Sequence, residues 1–254
     1  MAFVTLQSLN IIKIVDDTSK VDQEEREEHT LLKTTTLQAI SPILSTYSFG
    51  FTIGAPRPIL DSIARITQLR KKRRQGNAKQ EHVDEMLASE LNVLNRYRKE
   101  QGPESDCWAS NRDSTLDEIV EAAAHQKQAF IQATYIYLYR SLLEAPPEAV
   151  KSYVATTFAH VFAFFSTSDG NFSIWPAFIA AVEAFTEDNI AAARQWLESA
   201  VSFGIGSRES MRCIVEEVWR RRNTIAQTSG LRLGLIAVDW REVMQELGID
   251  ILLV

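Results

Sequence analysis

The sequence predicts an all-α fold, a bundle of about nine or ten helices around one extended core. Three observations predict it. Apolar residues recur three and four positions apart over most of the chain, the period of a helix with one buried face. Ten Gly and seven Pro among 254 residues are too few for the turns of an all-β chain. Trp175, Trp196, Trp219 and Trp240 recur at intervals of 21–23 residues through the C-terminal third, each near a helical segment. That third is expected to be the most regular part, with Trp219 and Trp240 largely buried.

Residues 1–30 divide in two. Phe3 to Val15 carries β-branched residues and reads as a short strand or an unsettled tail; Asp16 to Glu28 is acidic and reads as solvated. Residues 1–30 are thus an N-terminal segment marked for poor order, ahead of one domain at 31–254. Leu31 to Tyr47 reads as a helix interrupted near Pro42, because a residue preceding proline is pushed out of the helical region. Phe49, Gly50, Phe51 and Gly54 make a connector. Pro56 and Pro58 then open a helix with Ile59, Ile63 and Ile66 on one stripe, ending in Arg70-Lys71-Lys72-Arg73-Arg74 before Gly76. Val83, Leu87, Leu91 and Leu94 form the next stripe, which Gly102-Pro103 ends. A polar loop over 102–113 carries Cys107 and Trp108, the latter a local cover for the core.

Thr115 and Glu118 have capping-box spacing, and the helix behind them runs to about Glu144, the longest and a spine for the domain. Leu116, Ile119, Val120, Ala123, Phe130, Thr134, Tyr137 and Leu138 are its expected core stripe, with His125 and Lys127 on the wetter face. Pro146-Pro147 ends it. The helix from Glu148 to Ser166 is apolar nearly all round and is expected to be buried at the centre. Its His160 reads as a hydrogen-bonded core residue, since no second His or carboxylate lies at metal-ligand spacing to it. Trp175-Pro176 opens the next helix, with Phe178, Ile179, Val182 and Phe185 at helical spacing. Ile190, Ala193 and Leu197 mark another, stopped at Gly204 and Gly206. Met211, Ile214, Val215, Val218 and Trp219 mark a third, with Arg220, Arg221 and Arg222 placed in its last turn, where cations suit the helix dipole. Asp239 is the expected N-cap of a final helix through Trp240, Val243, Met244 and Leu247, and Gly248 its C′ residue. The apolar terminus Ile249 to Val254 is expected to dock on the body of the domain or on a partner.

Composition excludes several functions. Hydrophobic residues make up 45% and charged residues 24% of the chain, an ordinary globular balance. The formal net charge of −6 argues against direct DNA binding, which needs a basic surface. The two cysteines, Cys107 and Cys213, are far apart, so a self-contained structural zinc site is not expected. Such sparse cysteines fit a reducing interior. No secretory leader and no membrane span are read. Neither G-x-S-x-G, a phosphate-cradling glycine loop nor H-E-x-x-H occurs; no cofactor, metal ligand or catalytic residue is expected.

Several segments resemble the fungal-specific transcription factor domain, the effector and regulatory part of binuclear zinc-cluster transcription factors. They are Trp175 through Ala184, Val218-Trp219-Arg220-Arg221-Arg222, Asp239-Trp240 with Leu247-Gly248, Ile136 to Arg140 with Pro146-Pro147, and Ser48 to Pro56. The resemblance covers roughly residues 31–254 and departs at Ala181, where family members often carry Gly. A binuclear cluster needs six closely spaced cysteines, and none precedes Cys107. Either the chain is a fragment or a shortened relative without the DNA-binding module, and Met1 favours the second.

The resemblance implies a non-catalytic regulatory domain in the nucleus, acting through a homodimer, a heterodimer with zinc-cluster regulators, or a small-molecule effector, with secondary metabolism as one candidate process. A helical interaction scaffold unrelated to transcription is the alternative. An all-α isoprenoid-type enzyme is a third reading, resting on Asp16-Asp17 and weakened by the missing partner motif. The five-cation run Arg70, Lys71, Lys72, Arg73 and Arg74 has two readings. One is a nuclear-import or phosphate-binding patch; the other is an exposed, solvated helix end whose cations complement the dipole.

Overall fold

A computed structural model describes residues 14, 17–19, 55–76, 80–99, 114–168, 172–202 and 206–251. The helix and connector expected over 31–54, the loop with Cys107 and Trp108, and Leu252–Val254 lie outside the described residues. Those described are helical and contain no strand: α1 (Arg57–Arg74), α2 (Gln80–Lys99), α3 (Ser114–Leu142), α4 (Pro147–Thr167), α5 (Ile174–Glu183), α6 (Glu187–Ser202), α7 (Gly206–Ser229), a 3-10 turn (Leu233–Leu235) and α8 (Trp240–Leu247). The all-α fold is therefore as the sequence predicts. Among the described residues no helix is long and apolar enough to cross a membrane.

The spine is α3, 29 residues long, which packs along α4, α1 and α5. Residues Ala129 to Leu138 are buried without interruption. Only neighbours on several sides can bury every face of a helix, and α3 has them over this half. At its N-terminal end the expected stripe fails: Ile119 is 45% and Val120 47% exposed.

The expected centre also shifts. On α4, Val150, Val154, Thr157, Phe158, Val161 and Phe164 are buried, but Lys151, Ser152, Ala155 and Ala159 are exposed. It is a one-sided helix whose outer alanines mimic an all-round apolar pattern. The central element is α5, in which all ten residues are buried. Ten residues cannot form a stable helix alone in water, so tertiary packing holds α5.

The packing is aromatic. Trp175 stacks on Phe130 at 5.8 Å and meets Tyr137 edge-on at 5.9 Å, and Phe178 stands edge-on to Trp240 at 5.1 Å. All four recurring tryptophans are buried, Trp219 being the most accessible at 7%. At the C-terminal end of α5, carbonyls that a helix leaves without intrahelical partners receive side chains from α7: the Trp219 indole donates to Ala181 O at 3.0 Å, and Arg222 donates to Val182 O and Ala184 O at 3.1 and 2.8 Å. Trp219 and Arg222 sit three apart on α7 and so share a face.

The reading of Arg220 to Arg222 as last-turn cations is overturned, because α7 continues to Ser229 with no basic residue in its last turn. Another expectation fails at the N-terminus. Thr18 and Ser19 are 0% and 1% exposed, whereas the sequence suggests a solvated acidic turn. Thr18 accepts the Trp175 indole N–H on Oγ1 at 3.1 Å and Arg241 Nε on its carbonyl at 2.7 Å.

The closing helix forms as its sequence signals direct. Asp239 Oδ1 accepts the Arg241 backbone N–H at 3.0 Å, an N-cap bond. Gly248 adopts φ 62 and the Ile249 N–H reaches back to Met244 O at 3.1 Å, so the left-handed position falls on the residue that takes it without cost. Beyond it Ile251 is 2% exposed, so the terminus docks on the domain as far as it is described.

Candidate functional site

Most of the buried and half-buried charged side chains at one end of the bundle meet in a cleft. The last turns of α1 supply Arg70, Arg73 and Arg74, spaced three and four apart on one face. The last turns of α3 supply Tyr137, Arg140 and Ser141 at the same spacing. The start of α8 supplies Asp239 and Arg241, and α5 supplies Glu183 from below. Two adjoining cavities result, of about 370 and 250 Å³, sharing Arg74, Arg140, Ser141, Glu144, Asp239 and Arg241.

Most of the charged side chains have a structural anchor. Asp239 pairs with Arg74 at 2.9 Å and with Arg241 at 3.1 Å. Burial pushes its carboxyl upward, yet Arg241, its backbone N–H, Arg74 and Arg70 outweigh this and hold the pKa below the usual value. Arg241 is 6% exposed; its guanidinium lies 4.5 Å over the Trp240 ring and 5.3 Å from that of Tyr137, a cation–π arrangement that offsets part of the burial. Arg140 pairs with Glu183 at 2.8 Å and donates to Ala145 O. Arg73 donates to Leu142 O, at the end of α3 where carbonyls lack helix partners, and lies 3.4 Å from Glu144. Glu144 itself has φ 50, a left-handed backbone at the cleft rim that costs a non-glycine residue energy.

Of the five-residue basic run, then, Arg70, Arg73 and Arg74 line the cleft and Lys71 and Lys72 do not. The solvated-end reading is corrected at Arg70, which is 3% exposed: it sits beside Leu69 on the inward face. Lys72 and Arg74 are exposed. Sequence reasoning missed Arg140, Ser141 and Arg241 as site residues. Arg140 carries a signal in retrospect, as the first charged residue after the uncharged run Gln128 to Tyr139.

A second grouping was not foreseen. The structure brings His125 of α3 to His160 of α4, with Nδ1 atoms 3.1 Å apart although 35 residues separate them. His125 also lies 3.9 Å from Glu121. Among the described residues no three His, Cys, Asp or Glu side chains group as metal ligands. Burial, then His125, lowers the His160 pKa from its ordinary 6.5. A base with a depressed native pKa binds its proton more readily in the unfolded chain, so stability rises with pH through this window. Thermal stability is expected to fall as pH drops below about 6.5, and His160→Asn to flatten that slope. A melting-temperature series from pH 7.5 to 5.5 checks it; equal slopes in both proteins would remove His160 as the cause.

Comparison with known proteins adds one finding. The profile of a family described as fungal specific transcription factor domain matches residues 14–254. No curated protein and no solved structure matches the chain.

Proposed function

The chain belongs to the fungal specific transcription factor domain family, and we propose that it works as the non-catalytic regulatory module of a fungal transcription regulator. It modulates transcription by binding a partner or an effector, and its two cysteines are too few to build a zinc cluster within these residues. The observation that supports this is the extent of the match. It begins at residue 14, ahead of the turn whose Thr18 is built into the core, and takes in every described helix.

With a formal net charge of −6, these residues reach promoters through an attached or associated DNA-binding module, as a homodimer or in a heterodimer with a zinc-cluster regulator. The cleft between α1, α3 and α8 joins three elements distant in sequence. A ligand there gains differential affinity for one arrangement of them, the requirement for an effector to shift a conformational equilibrium.

The test is a tethering assay. The full chain is fused to a heterologous DNA-binding module and placed over a reporter in a fungal host. Reporter output several-fold above or below that of the DNA-binding module alone supports a regulatory role, whereas identical output overturns it.

Nuclear residence belongs to the same proposal. An import receptor would read the Arg70–Arg74 run through Lys71 and Lys72, since the other three face the cleft. In a large fluorescent fusion, Lys71→Gln with Lys72→Gln is expected to reduce nuclear accumulation without disturbing the cleft. Undiminished accumulation would leave the run with its role in the fold alone.

A further inference from the structure

We propose that the smaller cavity of the cleft binds a small anion, a metabolite carrying a phosphate or clustered carboxylates, and that this is the effector. Its lining holds five guanidinium groups, Arg70, Arg73, Arg74, Arg140 and Arg241, against two carboxylates, Glu144 and Asp239. Asp239 is already divided between Arg74 and Arg241. Glu144 is 75% exposed at its side chain and 3.4 Å from Arg73, where solvent weakens its attraction. Glu183 pairs with Arg140 from outside this lining, and the five guanidinium groups still crowd one small cavity, where their like charges repel.

A second observation points to a ligand independently of the charge. Two buried polar groups on this lining have no hydrogen-bond partner: Nη2 of Arg241 and Oγ of Ser141. Arg241 is 6% and Ser141 9% exposed. A buried donor left unsatisfied is costly, and native structures retain few of them. Arg241 is held rigidly, by Thr18 O at 2.7 Å, by Asp239 at 3.1 Å and by the Trp240 face, so its remaining Nη2 donor is fixed in place ahead of binding. Water could satisfy both donors but brings no negative charge to the crowded guanidinium groups. An oxyanion answers both, because its several acceptor oxygens match planar guanidinium forks and a hydroxyl together. A cavity of about 250 Å³ takes a small organic anion and excludes a folded chain.

The ligand would also cross-link the fold. Arg70, Arg73 and Arg74 come from α1, Arg140 and Ser141 from α3, and Arg241 from α8, so one anion ties three elements together. The regulatory meaning of that tie rests on the function proposed above, while the binding does not.

The experiment uses the full chain and two probes, inorganic phosphate and citrate, with sodium chloride at matched ionic strength as reference. Calorimetry and thermal shift are read for wild type, Ser141→Ala, Arg74→Gln and, as a control outside the cleft, Arg220→Gln. Because Ser141 Oγ has no protein partner, its removal is expected to leave the ligand-free protein as stable as before. At least one probe is expected to bind and to raise the melting temperature above the chloride reference. Ser141→Ala and Arg74→Gln should each weaken binding about tenfold, the worth of one hydrogen bond to a charged group, and Arg220→Gln should not. Binding of phosphate alone assigns a phosphate-bearing effector, and binding of citrate alone a polycarboxylate. Neither probe exceeding chloride overturns the proposal, as does binding that ignores Ser141 and Arg74 or falls equally in Arg220→Gln. A failure here leaves the tethering result standing, and a silent reporter leaves the binding result standing.

Discussion

Arg222→Met is expected to lower the free energy of unfolding by about 3–5 kcal/mol, the cost of breaking a buried ion pair by removing one partner. The side chain is 2% exposed and makes three hydrogen bonds to main-chain carbonyls: Ala184 at 2.8 Å, Val182 at 3.1 Å and Ile236 at 3.1 Å. It also lies 3.5 Å from the Glu183 carboxylate. Burial lowers the Arg222 pKa, with Glu183 opposing and Arg140 adding to the shift, so the charge is held there by its partners. Methionine keeps most of the volume and none of the donors, and leaves the end of α5 and the segment after the 3-10 turn without their shared clasp. Lysine retains the charge, yet a single ammonium cannot span three carbonyls as a planar fork does, so Arg222→Lys should fall between. Urea unfolding midpoints of the three proteins decide the matter. An Arg222→Met loss below about 1 kcal/mol, the scale of an ordinary surface contact, would show that the clasp is replaceable.

The same residue shows how far the sequence can be read. Helix existence was legible wherever apolar spacing persisted: α1, α2, α5 and α8 lie close to where their stripes and punctuation place them, with Pro56, Pro176, Asp239 and Gly248 marking ends. What a consecutive triplet does was not legible. Arg220, Arg221 and Arg222 are turned about 100° from one another on a helix, and the structure gives them different tasks. Arg220 pairs with Glu217 on the surface, Arg221 bridges Glu217 and Glu246, and Arg222 goes into the core. The chain after Trp219 offers no apolar stripe to continue the helix, so the periodicity ended ten residues early and the triplet looked terminal.

The cleft was hidden for a related reason. A basic run reads as one feature in sequence, but its period buries Arg70, sets Arg73 and Arg74 along the cleft and leaves Lys72 outside it. Their partners lie about 70 residues away on α3 and 165 residues away at Asp239. No local spacing encodes such a meeting. Thr18 failed for the opposite reason. Its acidic neighbours outweighed it in composition, whereas burial is decided residue by residue, by a tryptophan 157 positions away.

That tryptophan carries the other large effect. Trp175→Ala is expected to cost about 3–5 kcal/mol, as large aromatic truncations in a packed core do. The ring is 0% exposed, lies nearly parallel to Phe130 at 14° and meets Tyr137 at 71°, so α5 and α3 lose their main contact together. Tyr137 in turn hydrogen-bonds Thr67 of α1 at 2.9 Å and sits under the Arg241 guanidinium. A cavity left by Trp175 therefore opens beneath three helices, and the site can collapse only by moving α5, whose every residue is already packed. Trp175→Phe separates the ring from its polar edge. It keeps an aromatic face against Phe130 and removes the indole donor to Thr18 Oγ1, for which about 1–3 kcal/mol is expected. If the N-terminal turn is part of the core, amide exchange at residues 17–19 should quicken in Trp175→Phe by more than the fall in global stability explains. Exchange there that merely follows the global loss would mean that Arg241, through the Thr18 carbonyl, holds the turn unaided.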